Sequence, residues 1–301
     1  MAVLYSDQTS AGYRQDLLDE IQMVSPSATP VFTRLADVGG SSTVHEWVED
    51  TLATATASAV PEGATAAASS TVSKARKLNY MQIIRKTGAV SGTAQSMDAV
   101  GGKNELIYDM DKTMKSWKIE AEQQLIWGAT ASGDSTAGTA REMRGLEQSI
   151  STNRVTGSGG TVALTETVFN DQLQAIWSAG TDDGQFIAFC GGFNKRRISQ
   201  FATSNTRQLH MDESKKLINS VSVYESDFGT VTINLHRYIG EKNIVLMDST
   251  KFRKAWLRYP KKEDLQKRGD LTEYQIVGEL TLEHLNERRG SFFSAFASAT
   301  A

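Results

Sequence analysis

The sequence predicts an α+β chain shaped for contact with other chains, and three features carry that prediction. A helical pattern of about 25 residues runs near the middle of the chain. Short, wholly apolar runs suited to buried strands follow it. A bare stretch, "TLATATASAVPEGATAAASST" (51–71), separates two strand-like runs. Tight hairpin turns take about 2–5 residues, so the bare stretch is not one. Ala, Ser and Thr bury too little apolar surface to offset the entropy of ordering such a segment alone. Either it is floppy or something outside its own domain holds it, and the rest of the chain favours the second.

In chain order, residues 1–42 are polar and broken by Pro26 and Pro30, which predicts an extended terminal arm. A short amphipathic helix fits near Gln15–Met23, where Leu17, Leu18 and Ile21 share a face. Residues 43–92 predict a projecting β-arm: "TVHEWVED" runs out, "KARKLNYMQIIRKTGAVSGT" returns, and the bare stretch is the tip. The flanking charges are the candidate inter-subunit contacts, with Glu46, Glu49 and Asp50 on the outgoing strand and Arg76, Lys77, Arg85 and Lys86 on the return. Residues 93–139 hold a spine helix, in which Leu106/Ile107, Met110, Met114, Trp117, Ala121 and Leu125 recur at spacings of three and four. Gly101-Gly102 and Gly128 mark its ends. At 1.5 Å per residue it is a rod of nearly 40 Å.

Residues 140–248 read as compact mixed α/β. "TETVFNDQLQAIWSAG" is a helix with Thr165 or Thr167 as N-cap, and "QFIAFC" and "NIVLMD" are buried strands. "FNKRRISQFA" is a helix opened by Gly191-Gly192, and "TVTINLH" alternates as a half-buried strand. Residues 249–301 return with the basic run "KFRKAWLRYPKKEDLQKR", eight Lys/Arg against two acids, and then the strand "EYQIVGELTLEHL". The basic run reads as a helix whose buried face carries Trp256, Leu257, Tyr259 and Leu265. Its charges are then solvated or aimed at another subunit, with nucleic-acid phosphate as the alternative.

A catalytic reading fails at each point where it is tried. "SDFG" (226–229) lacks the Gly-rich loop, strand lysine and catalytic loop that kinase chemistry needs, so it reads as a turn. "FCGGFNKRRIS" matches neither phosphate-loop pattern and reads as a tight strand-to-helix turn. His45, His210, His236 and His284 are scattered, with no second ligand at metal spacing. Cys190 is the only cysteine and sits in an apolar run, which predicts an inert buried thiol and no disulfide. The expectation is therefore no enzyme, no cofactor and no metal. A net charge of −3 gives no global pull toward nucleic acid or anionic membrane. No apolar stretch approaches the ~20 residues of a membrane span, and the start lacks a signal-peptide pattern. A soluble intracellular product is expected.

This order of parts resembles the major capsid protein of tailed bacteriophages, with its Hong Kong 97-like fold. The last third resembles it most specifically, through "FNKRRISQF", "VSVYESDFGTVTINLHRYIGEKNIVLMD" and "WLRYPKKEDLQKRGDLTEYQIVGELTLEHLNERRG". Gly240 and the Arg288-Arg289 pair depart from the pattern of that branch of head proteins. The resemblance implies an N-terminal arm (1–42), an extended loop (43–92), a peripheral domain with the spine helix (93–139), an axial domain (140–248) and a peripheral return (249–301). It implies hexamers and pentamers closing into an icosahedral shell around double-stranded DNA, held without sequence specificity. Portal, scaffold and decoration proteins are the other implied partners, and the virion, assembled in host cytoplasm, is the implied location. An encapsulin-like compartment shares the fold and is the alternative; a phosphotransferase using "SDFG" or the Gly-Gly turn is the reading from another class.

Overall fold

The computed structural model describes residues 28–53, 59–65, 72–97, 104–134, 136–157, 163–180, 185–201 and 222–296, so the helix expected near Gln15–Met23 lies outside the described residues. In chain order the elements are α1 (Pro30–Arg34), β1 (Ala36–Gly39), β2 (Val44–Glu49), β3 (Ala75–Tyr80), β4 (Gln82–Ser91), α2 (Gly92–Ser96), α3 (Glu105–Trp127), α4 (Leu146–Ser149), β5 (Arg154–Thr156), α5 (Glu166–Ser178), β6 (Gln185–Cys190), α6 (Gly192–Phe201), β7 (Val223–Ser226), β8 (Gly229–Leu235), β9 (Ile244–Asp248), β10 (Phe252–Asp264), β11 (Leu271–His284) and β12 (Gly290–Ser294).

α3 is the expected spine. Asn104 caps it by accepting the Leu106 N–H, and Gly128 closes it. It lies on a four-stranded sheet of order β1-β10-β11-β4, in which only the β1–β10 pair is parallel. Trp117 is fully buried between helix and sheet. Its indole N–H donates to the Ile84 carbonyl at 2.8 Å, and its ring stacks on Trp256 with centroids 6.2 Å apart. Gly278 makes room for that ring, since a Cβ there would stand 2.7 Å from Trp117 and 3.1 Å from the Cα of Pro260.

A six-stranded sheet, of order β5-β12-β9-β6-β8-β7, holds the mixed α/β segment. Side chains alternate across a strand, and here both faces are covered. Phe186, Ala188, Cys190, Ile244 and Leu246 face a core with Phe169, Leu173 and Ile176 of α5 and Ile198 of α6. Ile187, Phe189, Val245 and Met247 face the other way, into a core shared with Leu125 and Ile126 of α3 and with the four-stranded sheet. Two covered faces explain why "QFIAFC" and "NIVLMD" are apolar at nearly every position. The C-terminal half of α3 thus joins the two sheets through one continuous core. Of the two N-cap candidates for α5, Thr165 is the one that accepts the Val168 N–H.

Four expectations change. The basic run is not a helix but β10, hydrogen-bonded along its length to β11. Pro260 would break a helix there and instead lies in the irregular stretch between Arg258 and Lys261, where the ladder slips. The return run of the β-arm divides at the buried Met81: β3 stays with β2 in a separate two-stranded sheet, while β4 is an edge of the four-stranded sheet. Within the segment read as a terminal arm, residues 30–39 pack into the fold, with Val31 and Leu35 buried and β1 paired to β10. Finally, β12 leaves the C-terminal return to join the six-stranded sheet between β5 and β9.

Candidate inter-subunit surface

The base of the β-arm shows a two-faced strand pair. One face turns to the body: Trp47 and Asn79 are buried, His45 lies 3.1 Å from Glu283, and Glu49 lies 3.5 Å from His284. The arm therefore contributes one histidine and one carboxylate, and the end of β11 contributes the reciprocal pair. Trp47 meets the His284 ring edge-on at 4.9 Å. Burial is the main cause that lowers His284 to a pKa of about 4, with the Arg144 charge acting in the same direction. Asn79 is the anchor. It donates to the carbonyls of Leu282 (2.7 Å) and Arg144 (3.1 Å) and accepts from the N–H groups of Arg144 and Tyr80. A polar cleft of about 590 Å³, bordered by Glu49, Asp50, Lys77 and Glu287, separates the arm from the body just beyond this clamp.

The other face of the arm carries Glu46, Val48 and Arg76 outward. Beyond the base, residues 50–53 and 59–65 are all exposed, and Leu52 keeps 97% of its surface and Val60 67%. Within 59–65 the hydrogen bond formed is local, Ala64 N–H to the Pro61 carbonyl at 3.2 Å. The rest of the bare stretch lies outside the described residues.

The seven candidate contact residues divide into two sets. Glu46 and Arg76 pair at 3.3 Å and Glu49 and Lys77 at 3.8 Å, both diagonally across the two arm strands of one chain. Asp50 accepts the Thr51 N–H at 2.9 Å at the end of β2. Arg85 and Lys86 are not on the arm. They sit on β4, where Arg85 is exposed and Lys86 forms an ion pair with Glu120 of α3.

Two buried polar centres escaped the sequence reading. Glu122, on α3, accepts the N–H groups of Val31 (2.9 Å) and Phe32 (2.6 Å) and a bond from His236 Nε2 (2.5 Å). His236 Nδ1 accepts the N–H groups of Tyr238 and Ile239, both at 3.1 Å, so the ring proton belongs on Nε2 and points at the carboxylate. One acid thus ties together the start of α1, the spine and the loop after β8. Arg289, of the Arg288-Arg289 pair that departs from the pattern of the branch, is buried against Asp248 at 2.8 Å and lies over the Phe186 ring. The available signal for Glu122 was its place between Ala121 and Leu125 on the buried stripe of the helix.

The motifs tested for chemistry have structural roles. Burial pushes the Cys190 thiol up to about 12, far from a reactive thiolate. At the "SDFG" turn, Gly229 adopts φ 135°, and Ser226 bonds the turn by accepting the Phe228 N–H. At the Gly-Gly turn the first turn of α6 is already occupied, because the Glu241 carboxylate accepts the Phe193 N–H. Among the described residues no group of three His, Cys, Asp or Glu could hold a metal ion, and no helix is long and apolar enough to cross a membrane.

Comparison with known proteins gives one consistent answer. The profile of the SU10 major capsid protein family matches residues 4–294. The major capsid protein of Escherichia phage Phieco32 is 23% identical over 348 aligned positions, covering 99% of each chain. Among solved structures, the capsid of cyanophage A-1(L) superposes with a TM-score of 0.70 at 12% identity, covering 98% of this chain and 100% of the other. The SrpI encapsulin of Synechococcus elongatus PCC 7942 superposes at 0.62 with 10% identity, covering 100% and 98%. The fold is therefore the Hong Kong 97-like fold that phage capsids share with encapsulins, while the sequence match over nearly the whole chain is to the phage proteins. This chain belongs to the SU10 major capsid protein family.

Proposed function

We propose that this major capsid protein assembles as hexamers and pentamers into the icosahedral head of a tailed bacteriophage, around double-stranded DNA held without sequence specificity. In this reading the four-stranded sheet with α3 is the peripheral domain and the six-stranded sheet with α5 and α6 is the axial domain. Portal, scaffold and decoration proteins are its further partners, and assembly takes place in host cytoplasm.

The observation that carries the reading is the arm. Its base is clamped by Asn79, Trp47 and two His–Glu contacts, while Leu52 and Val60 beyond the base are left exposed among the described residues. A rigid base and an uncovered extension suit a ribbon that lies on an identical neighbour. Glu46, Glu49, Asp50, Arg76 and Lys77 on the arm, with Arg85 and Lys86 on β4, are the proposed inter-subunit contacts. The intrachain pairs of the arm keep both signs available at its surface, and each exposed pair contributes only about 0–1 kcal/mol. Repeated around a shell, such pairs set register more than strength.

Lysine–carboxylate cross-linking with mass spectrometry tests this directly. Links from Lys74 or Lys77 to acids of another copy are the expected result. Links confined to single chains in assembled particles would contradict it. The content of purified particles separates this reading from the encapsulin-like one, through DNA against a protein cargo.

A further inference from the structure

We propose that the exposed lysines of the spine helix, Lys112, Lys115 and Lys118, form the surface that meets the phosphate backbone of the packaged duplex. The inference rests on the capsid reading above and assigns its DNA-facing side. The three lysines are exposed and have no carboxylate within 4 Å among the described residues. They follow one another at three-residue steps, about 4.5 Å of rise each, so they run as a diagonal band across the side of α3 turned away from the sheet.

Three of the five acids of the same helix are withdrawn from that band. Glu122 is buried under α1, Glu120 pairs with Lys86, and Asp109 accepts a bond from the Tyr274 hydroxyl at 2.7 Å. Asp111 remains exposed beside Lys112 and lowers the local charge without pairing. In the basic run 251–268, by contrast, at least four of the eight cations are matched by acids. Lys254 pairs with Asp37, Arg258 with Glu279, Lys261 with Glu263 and Lys262 with Asp264. A chain of net charge −3 therefore keeps an unmatched cationic band on its longest helix. Flexible lysine point charges on a smooth helix contact phosphate without reading bases, and three of them make a weak, salt-screened contact that permits release.

The test uses dissociated full-length subunits and a short fluorescent duplex, with affinity followed from 50 to 200 mM salt. Three phosphate contacts steepen the salt dependence by a slope of about 2.7, so wild-type affinity falls roughly 40-fold more across that window than the affinity of Lys112→Gln/Lys115→Gln/Lys118→Gln. The charge-keeping triple Lys→Arg variant restores the wild-type slope. A control triple at Lys261, Lys267 and Arg268 leaves it unchanged, and circular dichroism confirms that each variant is folded. Equal salt slopes for wild type and the Gln variant overturn the proposal. Loss of assembly by the Gln variant also overturns it, since the band is then a contact between subunits. Sedimentation of the wild-type chain before dissociation reads the capsid assignment separately, because absence of shells there contradicts the function rather than the location of the DNA face.

Discussion

Glu122 has no exposed surface and accepts three hydrogen bonds, so its replacement leaves donors stranded in the core. Glu122→Ala should lower unfolding stability by about 3–5 kcal/mol, the usual result of removing one partner from a buried charged contact. Glu122→Gln keeps one carbonyl acceptor but turns an N–H toward another donor, so a loss of about 1–3 kcal/mol is expected in urea melts. His284 adds a pH dependence whose sign follows from its lowered pKa. Between about pH 6.5 and 4 the unfolded chain binds a proton that the folded chain refuses, so stability falls as pH drops through that window. The difference amounts to about 3 kcal/mol, and His284→Leu should flatten it. Arg144, Lys77 and Glu287 surround this ring and set the background against which the slope is read. Cys190 should resist iodoacetamide in the native state, and reductant should leave particles intact, because its thiol is fully buried.

The elements differ in how openly the sequence displays them. α3 was legible because one apolar stripe and a closing glycine agree over 23 residues. β6 and β9 were legible because both of their faces are covered. β10 was misread because its cations alternate with aromatics at spacings that also fit a helix, and the meaning of Pro260 depends on the partner strand. β4 was assigned to the arm because Ile83 and Ile84 blur its alternation, although only Ile84 faces α3. The buried stripe of α3 marks the place of Glu122 but not its partners, which lie some 90 and 114 residues away. Gly278→Ala should destabilise by about 1–3 kcal/mol through its clash with Trp117, as seen in thermal melts. Deleting Ala53–Ser70 and closing β2 to β3 with a short Gly-containing turn should leave both cores folded, since none of their buried residues is removed. The same deletion should abolish or impair closed shells. Unfolding of the deleted protein, or assembly of unchanged stability, would contradict the role given to the arm.

At the scale of the whole molecule, the two sheets share a core through the C-terminal half of α3, which makes the body one unit. Among the described residues the arm reaches away from it, on a clamped base and with Leu52 and Val60 exposed. A rigid body with an uncovered ribbon is stable as a repeating piece and incomplete as a monomer. The plan of arm, spine and compact α/β region was legible in the sequence, because it is written in segment lengths and composition. The contacts proposed to complete it belong to neighbouring copies, which a single chain does not display. Electron microscopy and sedimentation of the purified wild-type protein test this most directly. Closed icosahedral particles built of many 32.9 kDa copies are predicted. A protein that stays a 32.9 kDa monomer under every condition of concentration, salt and scaffold supply would contradict the account.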